Sequence, residues 1–285
     1  MMREKDYHLQ DPTWCLGCGI YGVFSSLKAA ALSLYMKPEE MVIVTGIGCH
    51  GRLNNYFKAY GFHSLHGRTL PVATGIKLAN VRLFVITVSG DGDAYSIGLS
   101  HFINAVRRNV DLTSIVVNNR IYALTQGQTS PTSQLGFVSN STPQGSKELP
   151  LDGLRLAFAS GGTFLARGFA GAPKQLSRLL EQGIRHRGFS LIDVLSPCVT
   201  HNKINTYDWY RDHTYDIGQK QGYDPRNKDL AWQVLKEEEN MALGLLYEEE
   251  RPSYEELVLP NEKPLLQSRM TIDRKEWERI LKKFE

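Results

Sequence analysis

The chain has 285 residues, 42% of them hydrophobic, which allows one large domain or two small ones. Its 33 basic and 30 acidic residues leave a net charge of +3, which is too small to indicate a nucleic-acid partner. No apolar run is long enough to cross a membrane, and the polar start lacks the apolar core of a signal peptide. We therefore expect a soluble, cytoplasmic protein with no membrane or nucleic acid as a partner.

Strands and helices are predicted to alternate over most of the chain. Apolar residues at helical spacing predict helices at 19–35, 70–80, 93–108 and 173–187. Short runs rich in β-branched residues predict strands at 41–45, 81–88, 113–118, 163–167 and 189–195. This alternation is typical of an α/β fold with a doubly wound, mainly parallel sheet, whose crossover connections are almost always right-handed.

The later part of the chain has a different composition. A long polar loop is predicted at 125–150, and from about residue 201 aromatic side chains are mixed with many charges. Residues 236–257 are acidic, and their pattern is mostly helical. We therefore divide the chain into a domain of residues 1–200 and a C-terminal extension of residues 201–285, interpreted as an arm at a subunit interface. Its aromatic residues could instead pack on the same domain.

Two polar groups follow neighbouring predicted strands. The strand at 81–88 leads into the letters GDG, which contain Asp91, and the next strand ends in NN, whose second residue is Asn119. If these strands are neighbours, both side chains emerge at the carboxyl edge of the sheet, where open α/β folds bind ligands. Oxygen ligands suit Mg²⁺, while the glycines and the first amides of the next helix suit a diphosphate. The alternative is a set of ordinary turn glycines and capping asparagines.

The chain has four cysteines, and all of them precede a predicted helix or follow a predicted strand. Cys15 and Cys18 form a Cys-x-x-Cys pair, Cys49 follows the first strand, and Cys198 follows the last. Thiolates favour iron–sulfur clusters and zinc, and four ligands complete either kind of site. The spacing does not match bacterial ferredoxins. A structural zinc site, a redox-active disulfide and a simple buried thiol at Cys198 are therefore alternatives.

The order of these motifs resembles one protein family. The letters WCxGCG, TGIGC, HGR, GDGD, VVNNRIY, TxGQ and SPC follow one another from residue 12 to about residue 205. The GDG and NN letters are similar to the motif of thiamine diphosphate enzymes. The whole combination resembles the β subunits of 2-oxoacid:ferredoxin oxidoreductases. The resemblance implies a sheet of the thiamine diphosphate-binding type in residues 1–200, followed by a C-terminal arm.

The same resemblance implies the cofactors and the residues that hold them. The implied Mg²⁺ ligands are the side chains of Asp91 and Asn119 and the carbonyl of Ile121. The implied ligands of one [4Fe–4S] cluster are Cys15, Cys18, Cys49 and Cys198. Implied contacts of thiamine diphosphate are Ile47, Gly48, Cys49, His50, His66, Gly67, Arg68, Gly92 and Asp93, with Ala123 and Leu124 at the thiazolium end.

Two of these contacts are also plausible from chemistry alone. His66 and Arg68 are reasonable donors to phosphate oxygens. The alternatives are a hydrogen-bonded structural histidine and a solvated surface arginine. His50 stands where the family commonly has a small residue, and it could tune the cluster potential through a hydrogen bond.

The implied activity is the oxidative decarboxylation of a 2-oxo acid to an acyl-CoA, with coenzyme A as co-substrate. Electrons would pass to ferredoxin or a similar carrier, and an α subunit would complete the active site. The resemblance also implies two substrate-selecting positions, Arg52 and Leu124. A cation at 52 could pair with the distal carboxylate of 2-oxoglutarate, and Leu124 stands where strict pyruvate enzymes tend to carry asparagine. Arg52 could instead point to solvent or to phosphate. Pyruvate or broad specificity is the alternative. Rival functions are a non-redox thiamine decarboxylase or carboligase, and a zinc-stabilised scaffold.

Overall fold

The computed structural model describes residues 3–237, 240–259 and 273–284 of the chain. Its strands are β1 Met41–Thr45, β2 Tyr60–His63, β3 Phe84–Gly90, β4 Leu112–Asn118, β5 Ile121–Tyr122, β6 Gln128–Thr129, β7 Phe164–Phe169, β8 Phe189–Leu195, β9 Thr214–Asp216 and β10 Met241–Glu248. Its helices are α1 Ile20–Ser33, α2 Leu53–Tyr56, α3 Thr69–Ala79, α4 Leu99–Arg108, α5 Gly153–Ala159, α6 Pro173–Arg185, α7 Tyr207–Asp212, α8 Lys228–Leu235, α9 Tyr254–Val258 and α10 Arg274–Leu281.

Eight strands form one sheet in the order β2-β1-β3-β4-β8-β7-β10-β9. Neighbouring strands run parallel, except that β10 is antiparallel to β7. A separate antiparallel pair is formed by β5 and β6. The predicted α/β fold with a mainly parallel sheet is confirmed. The strand after β1, β2, lies on one side of the β1–β3 pair, and the strand after β3, β4, lies on the other side. The direction of strand addition therefore reverses between β1 and β3.

Helices cover both faces of the sheet. Along β1, Ile43 packs in the cluster that contains α1 and α6, whereas Val42 and Val44 pack in the cluster that contains α3, α4, α5 and α8. Successive side chains of a strand point to opposite faces, so a strand covered on both faces is apolar throughout. The strands could therefore be predicted from short runs of β-branched and other apolar residues.

Helix α6 illustrates how the sequence specifies the packing. Its buried residues are Leu176, Leu179, Leu180 and Gly183, which follow helical spacing and face the sheet. Pro173 occupies the first turn, where a missing backbone N–H leaves no hydrogen bond unmade. Each leucine buried in this way contributes roughly 1.5–3 kcal/mol to folding.

Two predicted elements differ from the structure. The predicted helix at 93–108 begins with a π-helical turn, Asp93–Ile97, and becomes α-helical only from Leu99. The prediction that residues 236–257 are mostly helical is wrong, because Met241–Glu248 is the buried strand β10. The acidic residues that flank this apolar run disguised it, and only α9 restores a short helix near the end of the segment.

The C-terminal extension contributes to the main sheet through β9 and β10. Its aromatic residues also pack on the same domain, since Tyr210 is fully buried in a cluster with Phe169 and Leu195. The further prediction that the extension serves as an interface arm remains a prediction. Within the described ranges, the model contains no helix with the length and apolarity needed to span a membrane.

Candidate functional site

The predicted site residues surround the point where the strand order reverses. The loop after β1 begins at Gly46, and the loop after β3 begins at Asp91. Because these two strands are neighbours whose connections leave in opposite directions, their loops diverge and open a crevice at the carboxyl edge of the sheet. Open α/β folds bind their ligands in such a crevice.

Asp91 is buried and held by two hydroxyl groups. Its Oδ2 accepts hydrogen bonds from Ser130 Oγ at 2.5 Å and from Thr132 Oγ1 at 2.6 Å. Burial raises the pKa of the Asp91 carboxyl, and the two hydroxyls lower it only in part. A buried carboxylate whose charge is incompletely compensated fits a cation such as Mg²⁺.

Thr132 links Asp91 to a longer chain of buried polar side chains. Thr132 Oγ1 also lies 3.0 Å from Asn118 Oδ1, and Asn118 Nδ2 donates to Asp193 Oδ1 at 3.1 Å. Tyr95 completes the series by donating its hydroxyl to Asp193 Oδ2 at 2.7 Å. We call Asp91, Thr132, Asn118, Asp193 and Tyr95 the buried polar chain.

Of the five residues of the buried polar chain, only Asp91 was predicted as a site residue; the other four and the neighbouring Ser130 were not. Ser130 and Thr132 lie in the predicted polar loop, where no local pattern indicates that two hydroxyls fold back onto Asp91. Asp193 could have been identified from the sequence, because it is the one carboxylate within the apolar strand β8. Burial raises the pKa of Asp193 to about 6.

Asn119 and Ile121 belong to one tight turn. Asn119 Oδ1 accepts a hydrogen bond from the backbone N–H of Ile121 at 3.1 Å, and Arg120 between them has a φ of 60°. That backbone conformation costs a non-glycine residue roughly 1–2 kcal/mol, so surrounding contacts must hold it. The two implied Mg²⁺ ligands are therefore fixed relative to each other by the turn itself.

The C-terminal extension supplies contacts that hold this turn. Asn202 Nδ2 donates to the carbonyl of Asn119 at 3.1 Å. The guanidinium of Arg120 lies over the rings of Trp209 and Tyr210, at 5.4 and 5.8 Å from their centroids. Such cation–π contacts are worth about 0.5–2 kcal/mol, depending on how far the pair is removed from water. The extension therefore takes part in building the site, which was not predicted from the sequence.

Asp93 joins the two loop segments that the resemblance identified. Its Oδ1 lies 2.5 Å from His66 Nδ1 and accepts the backbone N–H of Gly67 at 2.7 Å and, more weakly, that of Ile47 at 3.4 Å. The close approach requires glycine at 46, because a Cβ there would lie 1.7 Å from Asp93 Oδ2. The structure thus brings the segments 46–50 and 66–68 together around one buried carboxylate.

His66 and Arg68 differ in their surroundings. His66 Nδ1 is paired with Asp93, as expected for a hydrogen-bonded structural histidine. Its other ring nitrogen, Nε2, is not part of that pair. Arg68 is exposed, and the one hydrogen bond that its guanidinium makes with a described residue goes to the neighbouring carbonyl of Gly67, at 3.4 Å. Its side chain is thus placed at the mouth of the crevice without being fixed there.

His50 is buried against the backbone of both loops. A Cβ at Gly48 would lie 2.5 Å from its Cε1, and one at Gly90 would lie 2.9 Å from the same atom. Burial lowers the pKa of His50 to about 4, so the imidazole is neutral near pH 7. Its Nε2 is buried and has no hydrogen-bond partner among the described residues. Buried polar atoms are rarely left unpaired, so this nitrogen fits a bound polar ligand.

The four cysteines line a single cavity of about 300 Å³. Three segments meet there: Trp14 Nε1 donates to the carbonyl of Cys49 at 2.8 Å, and the Gly19 N–H donates to the carbonyl of Pro197 at 3.0 Å. Cys15 is exposed, whereas Cys198 is buried and packs with Ile121. We call this space the cysteine cavity.

The four cysteines are free, and the environment of two of them, Cys18 and Cys49, opposes ionisation. Burial raises the pKa of Cys18 to about 12, and the neighbouring Cys198, Cys49 and Cys15 raise it further. Burial and the nearby Cys198 and Cys15 also raise the pKa of Cys49. Four thiols around one cavity, two of which resist ionisation, fit a metal centre, which supplies the positive charge that thiolates need. Over the described ranges, no three metal-binding side chains converge tightly enough to hold a single ion.

The cysteine cavity is continuous with the turn that carries the implied Mg²⁺ ligands. Asn119, Ala123 and Leu124 line it together with the cysteines. Arg52 lines it too, is exposed, and donates from Nη1 to Thr13 Oγ1 at 3.0 Å. A larger cavity of about 500 Å³ lies at the opposite edge of the sheet, but none of the predicted site residues lines it.

Two family profiles match the chain. Residues 46–194 match the family described as "Thiamine pyrophosphate enzyme, C-terminal TPP binding domain". Residues 198–262 match the family described as the C-terminal part of the pyruvate ferredoxin oxidoreductase β subunit. The first match spans both loops of the crevice and the 119–121 turn, and the second begins at Cys198.

Several characterised proteins are similar over most of the chain. The β subunit of 2-oxoacid:ferredoxin oxidoreductase 2 from Aeropyrum pernix is 40% identical over 254 residues, covering 85% of this chain and 82% of the relative. The β subunit of the Saccharolobus solfataricus 2-oxoacid:ferredoxin oxidoreductase is 41% identical, covering 86% and 85%. The 2-oxoglutarate oxidoreductase subunit KorB of Mycobacterium tuberculosis is 40% identical, covering 79% and 58%.

A solved structure is similar over nearly the whole chain. It is the 2-oxoglutarate:ferredoxin oxidoreductase from Magnetococcus marinus with 2-oxoglutarate, coenzyme A and succinyl-CoA bound. The TM-score is 0.91 at 33% sequence identity, and the alignment covers 98% of this chain and 96% of the other.

Proposed function

Since the chain belongs to the β subunits of 2-oxoacid:ferredoxin oxidoreductases, we propose that the 2-oxo acid on which it acts is 2-oxoglutarate. The chain is part of a thiamine diphosphate-dependent oxidoreductase that works with an α subunit. The proposed reaction converts 2-oxoglutarate and coenzyme A to succinyl-CoA and CO₂ and passes electrons to ferredoxin. The observation that carries the proposal is the continuity of the cysteine cavity with the 119–121 turn.

The cofactors determine what the protein must do. Thiamine diphosphate, when bound, supplies an electron sink for decarboxylation, and a [4Fe–4S] cluster supplies one-electron oxidation. The chain's own residues then have to hold the two groups close together, neutralise the diphosphate and orient the substrate.

We assign Mg²⁺ to the Asp91 side of the crevice. Asp91 and Asn119 would hold the ion through their side chains, and Ile121 through its carbonyl. The support is the buried, incompletely compensated carboxylate of Asp91 and the fixed geometry of the 119–121 turn. A divalent ion there would neutralise the diphosphate, as Mg²⁺ does with only a few protein oxygens.

The remaining crevice residues are assigned to thiamine diphosphate. Gly92 and Asp93 would line the diphosphate, together with Ile47, Gly48, Cys49, His50, His66, Gly67 and Arg68. The unpaired Nε2 of His50 supports this assignment, because a neutral imidazole can donate to a phosphate oxygen. Ala123 and Leu124 would lie at the thiazolium end, at the border with the cysteine cavity.

The cysteine cavity is assigned to one [4Fe–4S] cluster held by Cys15, Cys18, Cys49 and Cys198. Four soft ligands in a single cavity support a metal–sulfur centre. The redox activity of the family supports iron over zinc, because zinc does not change its oxidation state. Free cysteines also agree with a reducing compartment such as the cytoplasm, where we place the enzyme.

Arg52 and Leu124 are assigned to substrate selection. Both line the cysteine cavity, and both are exposed to it. Among the described residues, the guanidinium of Arg52 bonds to the hydroxyls of Thr13 and Tyr56 and forms no ion pair, so it is available for a carboxylate. A bidentate pair with the distal carboxylate would favour 2-oxoglutarate over pyruvate, which lacks that group.

The test uses this chain and its α partner, produced together under anaerobic conditions. We expect reduction of a viologen dye that requires a 2-oxo acid and coenzyme A, together with iron and acid-labile sulfide in the purified complex. Zinc without iron would support the scaffold alternative, and decarboxylation without dye reduction would support the non-redox alternative. If no 2-oxo acid supports dye reduction, the proposed function is wrong.

The variant Arg52→Ile tests the substrate assignment in the same assay. We expect kcat/KM for 2-oxoglutarate to fall by roughly 10–100-fold, since a charge-assisted pair to a substrate carboxylate is worth about 1.5–3 kcal/mol. Activity with pyruvate should fall much less. Arg82→Ile, an exposed arginine at the opposite edge of the sheet, is the matched control. Equal losses with both substrates would leave pyruvate or broad specificity as the better assignment.

A further inference from the structure

One part of the cysteine cavity projects from the molecule. Cys15 is exposed, and Leu16 beside it is 96% exposed, which makes it the most exposed large apolar side chain of the described residues. Gly17 follows in a left-handed conformation, with a φ of 80°, which completes the projecting turn. A cluster held by these cysteines would therefore lie closest to solvent at this turn.

The turn is held firmly in spite of its exposure. The Cys18 N–H donates to the carbonyl of Cys15 at 2.9 Å, and Tyr207 Oη donates to the carbonyl of Gly17 at 3.1 Å. Because the backbone of the turn is already fixed, a partner that covers Leu16 has only its side chain to order. Leu16 is therefore placed as an anchor for a protein contact.

Two positively charged residues, Arg52 and Lys203, lie beside the turn. Both bond only to neutral oxygens: Arg52 to the hydroxyls of Thr13 and Tyr56, and Lys203 from Nζ to the carbonyl of Val199 at 2.5 Å. No ion pair involves either cation within the described ranges. The exposed carboxylate of Asp208 is already paired with Arg211 at 2.5 Å.

Lys203 is connected to the cysteine turn through its own segment. Val199 lies beside Gly17, since a Cβ on that glycine would be 3.6 Å from Val199 Cγ1. Val199, Thr200 and His201 line the cysteine cavity immediately before Lys203. We call the surface of Leu16, Gly17, Val199, Thr200 and Lys203 the cysteine-turn surface.

We infer that the cysteine-turn surface is the docking site of an electron-carrier protein with an acidic face. The inference rests on the proposed function, because only a cluster in the cavity gives a carrier reason to dock there. Electron transfer requires the carrier's centre to approach the donor closely, and the exposed turn is the closest approach this chain offers. An unpaired positive charge beside an apolar anchor attracts a negatively charged face and fixes its orientation.

The test compares two electron acceptors with the same holoenzyme. A purified acidic ferredoxin with [4Fe–4S] clusters is one acceptor, and a viologen dye, which needs no docking site, is the other. For Lys203→Glu and Leu16→Glu, we expect the KM for ferredoxin to rise at least tenfold, while dye reduction changes less than twofold. The cluster's electron paramagnetic resonance spectrum should be unchanged. Arg82→Glu, at the opposite edge of the sheet, is the charge-matched control.

Direct binding and salt dependence give readouts that do not depend on turnover. Calorimetric titration of oxidised ferredoxin into the holoenzyme without 2-oxo acid should give a Kd that rises with ionic strength, and rises less steeply for Lys203→Glu. If Leu16→Glu loses iron, Leu16→Ala replaces it and should still raise the Kd. Unchanged Kd and KM in these variants would overturn the inference, and protection of this surface by the α subunit would too. Absence of dye reduction in the unaltered enzyme would instead refute the proposed function.

Discussion

The buried polar chain and the cysteine cavity meet at the 119–121 turn, yet the protein completes them to very different degrees. Each of the five residues of the buried polar chain is hydrogen-bonded to another of the five, and Asp91 is 1% exposed. In the cysteine cavity the pKa values of Cys18 and Cys49 are raised, and Cys15 is exposed. The hydrogen bonds on the Asp91 side, which we call the oxygen side, are in place before a metal binds. The cysteine side, which we call the sulfur side, lacks the positive charge of a metal that would stabilise its thiolates.

This difference follows from the chemistry of the two kinds of ligand. A carboxylate or amide oxygen can be oriented by neighbouring hydroxyl and amide groups before a metal arrives. Thiols make weak hydrogen bonds and stay protonated when buried, so a metal has to provide most of their stabilisation. We therefore expect the two halves of the site to fail separately when they are altered separately.

The largest expected effects come from removing one ligand on each side. Cys18→Ser should remove the iron from the complex and reduce acceptor turnover by more than about 100-fold, while the affinity for thiamine diphosphate stays within a few-fold. Asp91→Asn should do the reverse, with lost Mg²⁺-dependent cofactor binding and retained iron. Iron and sulfide analysis and cofactor titration of the complex with its α subunit measure both quantities.

This pair of variants also tests whether the oxygen side and the sulfur side of the site are independent. If Cys18→Ser abolished cofactor binding as strongly as Asp91→Asn does, the two halves would form a single cooperative unit. Ala29→Ser, an exposed position of helix α1, which follows Cys18, serves as the control for local folding.

A second prediction concerns pH, because two fully buried groups have pKa values shifted in opposite directions. Burial raises the pKa of Asp193 from 3.8 to about 6, so folding retains a proton there and this contribution to stability falls as pH rises from about 4 to 6. Burial lowers the pKa of His50 from 6.5 to about 4, so unfolding takes up a proton and this contribution rises over the same range. Each amounts to roughly 3 kcal/mol at most.

The two contributions should largely cancel in the unaltered protein without cofactors. Replacing one group exposes the other: the unfolding free energy of Asp193→Asn should rise more steeply with pH than that of the unaltered chain, and that of His50→Gln less steeply. Urea unfolding at intervals from pH 4.5 to 7 measures both slopes. Slopes that coincide for all three proteins would show that neither group keeps its shifted pKa.

The contrast between the two halves also explains how much could be predicted from the sequence. Strand β1 was predicted with its observed limits, because five consecutive buried residues leave a plain apolar signal. The cysteines and Asp91 were predicted as site residues because each stands at the end of such a strand, or just before a helix, within a motif. That the groups at the strand ends share one edge follows from the parallel sheet alone.

Long-range closure of loops could not be predicted. Ser130 and Thr132 reach Asp91 across about forty residues of chain, and nothing in the local sequence distinguishes them from other hydroxyls of a polar loop. Asn202 and Trp209 support the 119–121 turn from an extension that appeared separate. Strand β10 was missed because its acidic neighbours resemble a charged helix, although its pairing with β7 decides its structure.

The smallest expected effect comes from removing the hydroxyl of Thr132, which tests what that group contributes to the oxygen side of the site. Thr132→Val keeps the shape of the side chain but removes the hydroxyl that donates to Asp91. We expect the affinity for Mg²⁺ and thiamine diphosphate to fall about tenfold, with unchanged iron content. Thr132→Ser, which retains the hydroxyl, is the matched control and should bind as the unaltered protein does.

The pH dependence separates this role from a purely structural one. The Thr132 hydroxyl helps to lower the pKa of Asp91 against the effect of burial, so its removal should raise that pKa further. Because Mg²⁺ needs the ionised carboxylate, the loss of cofactor affinity in Thr132→Val should grow as pH falls. A loss that is constant with pH would mean that Thr132 only shapes the loop, and the oxygen side of the site would then be less prepared than its hydrogen bonds indicate.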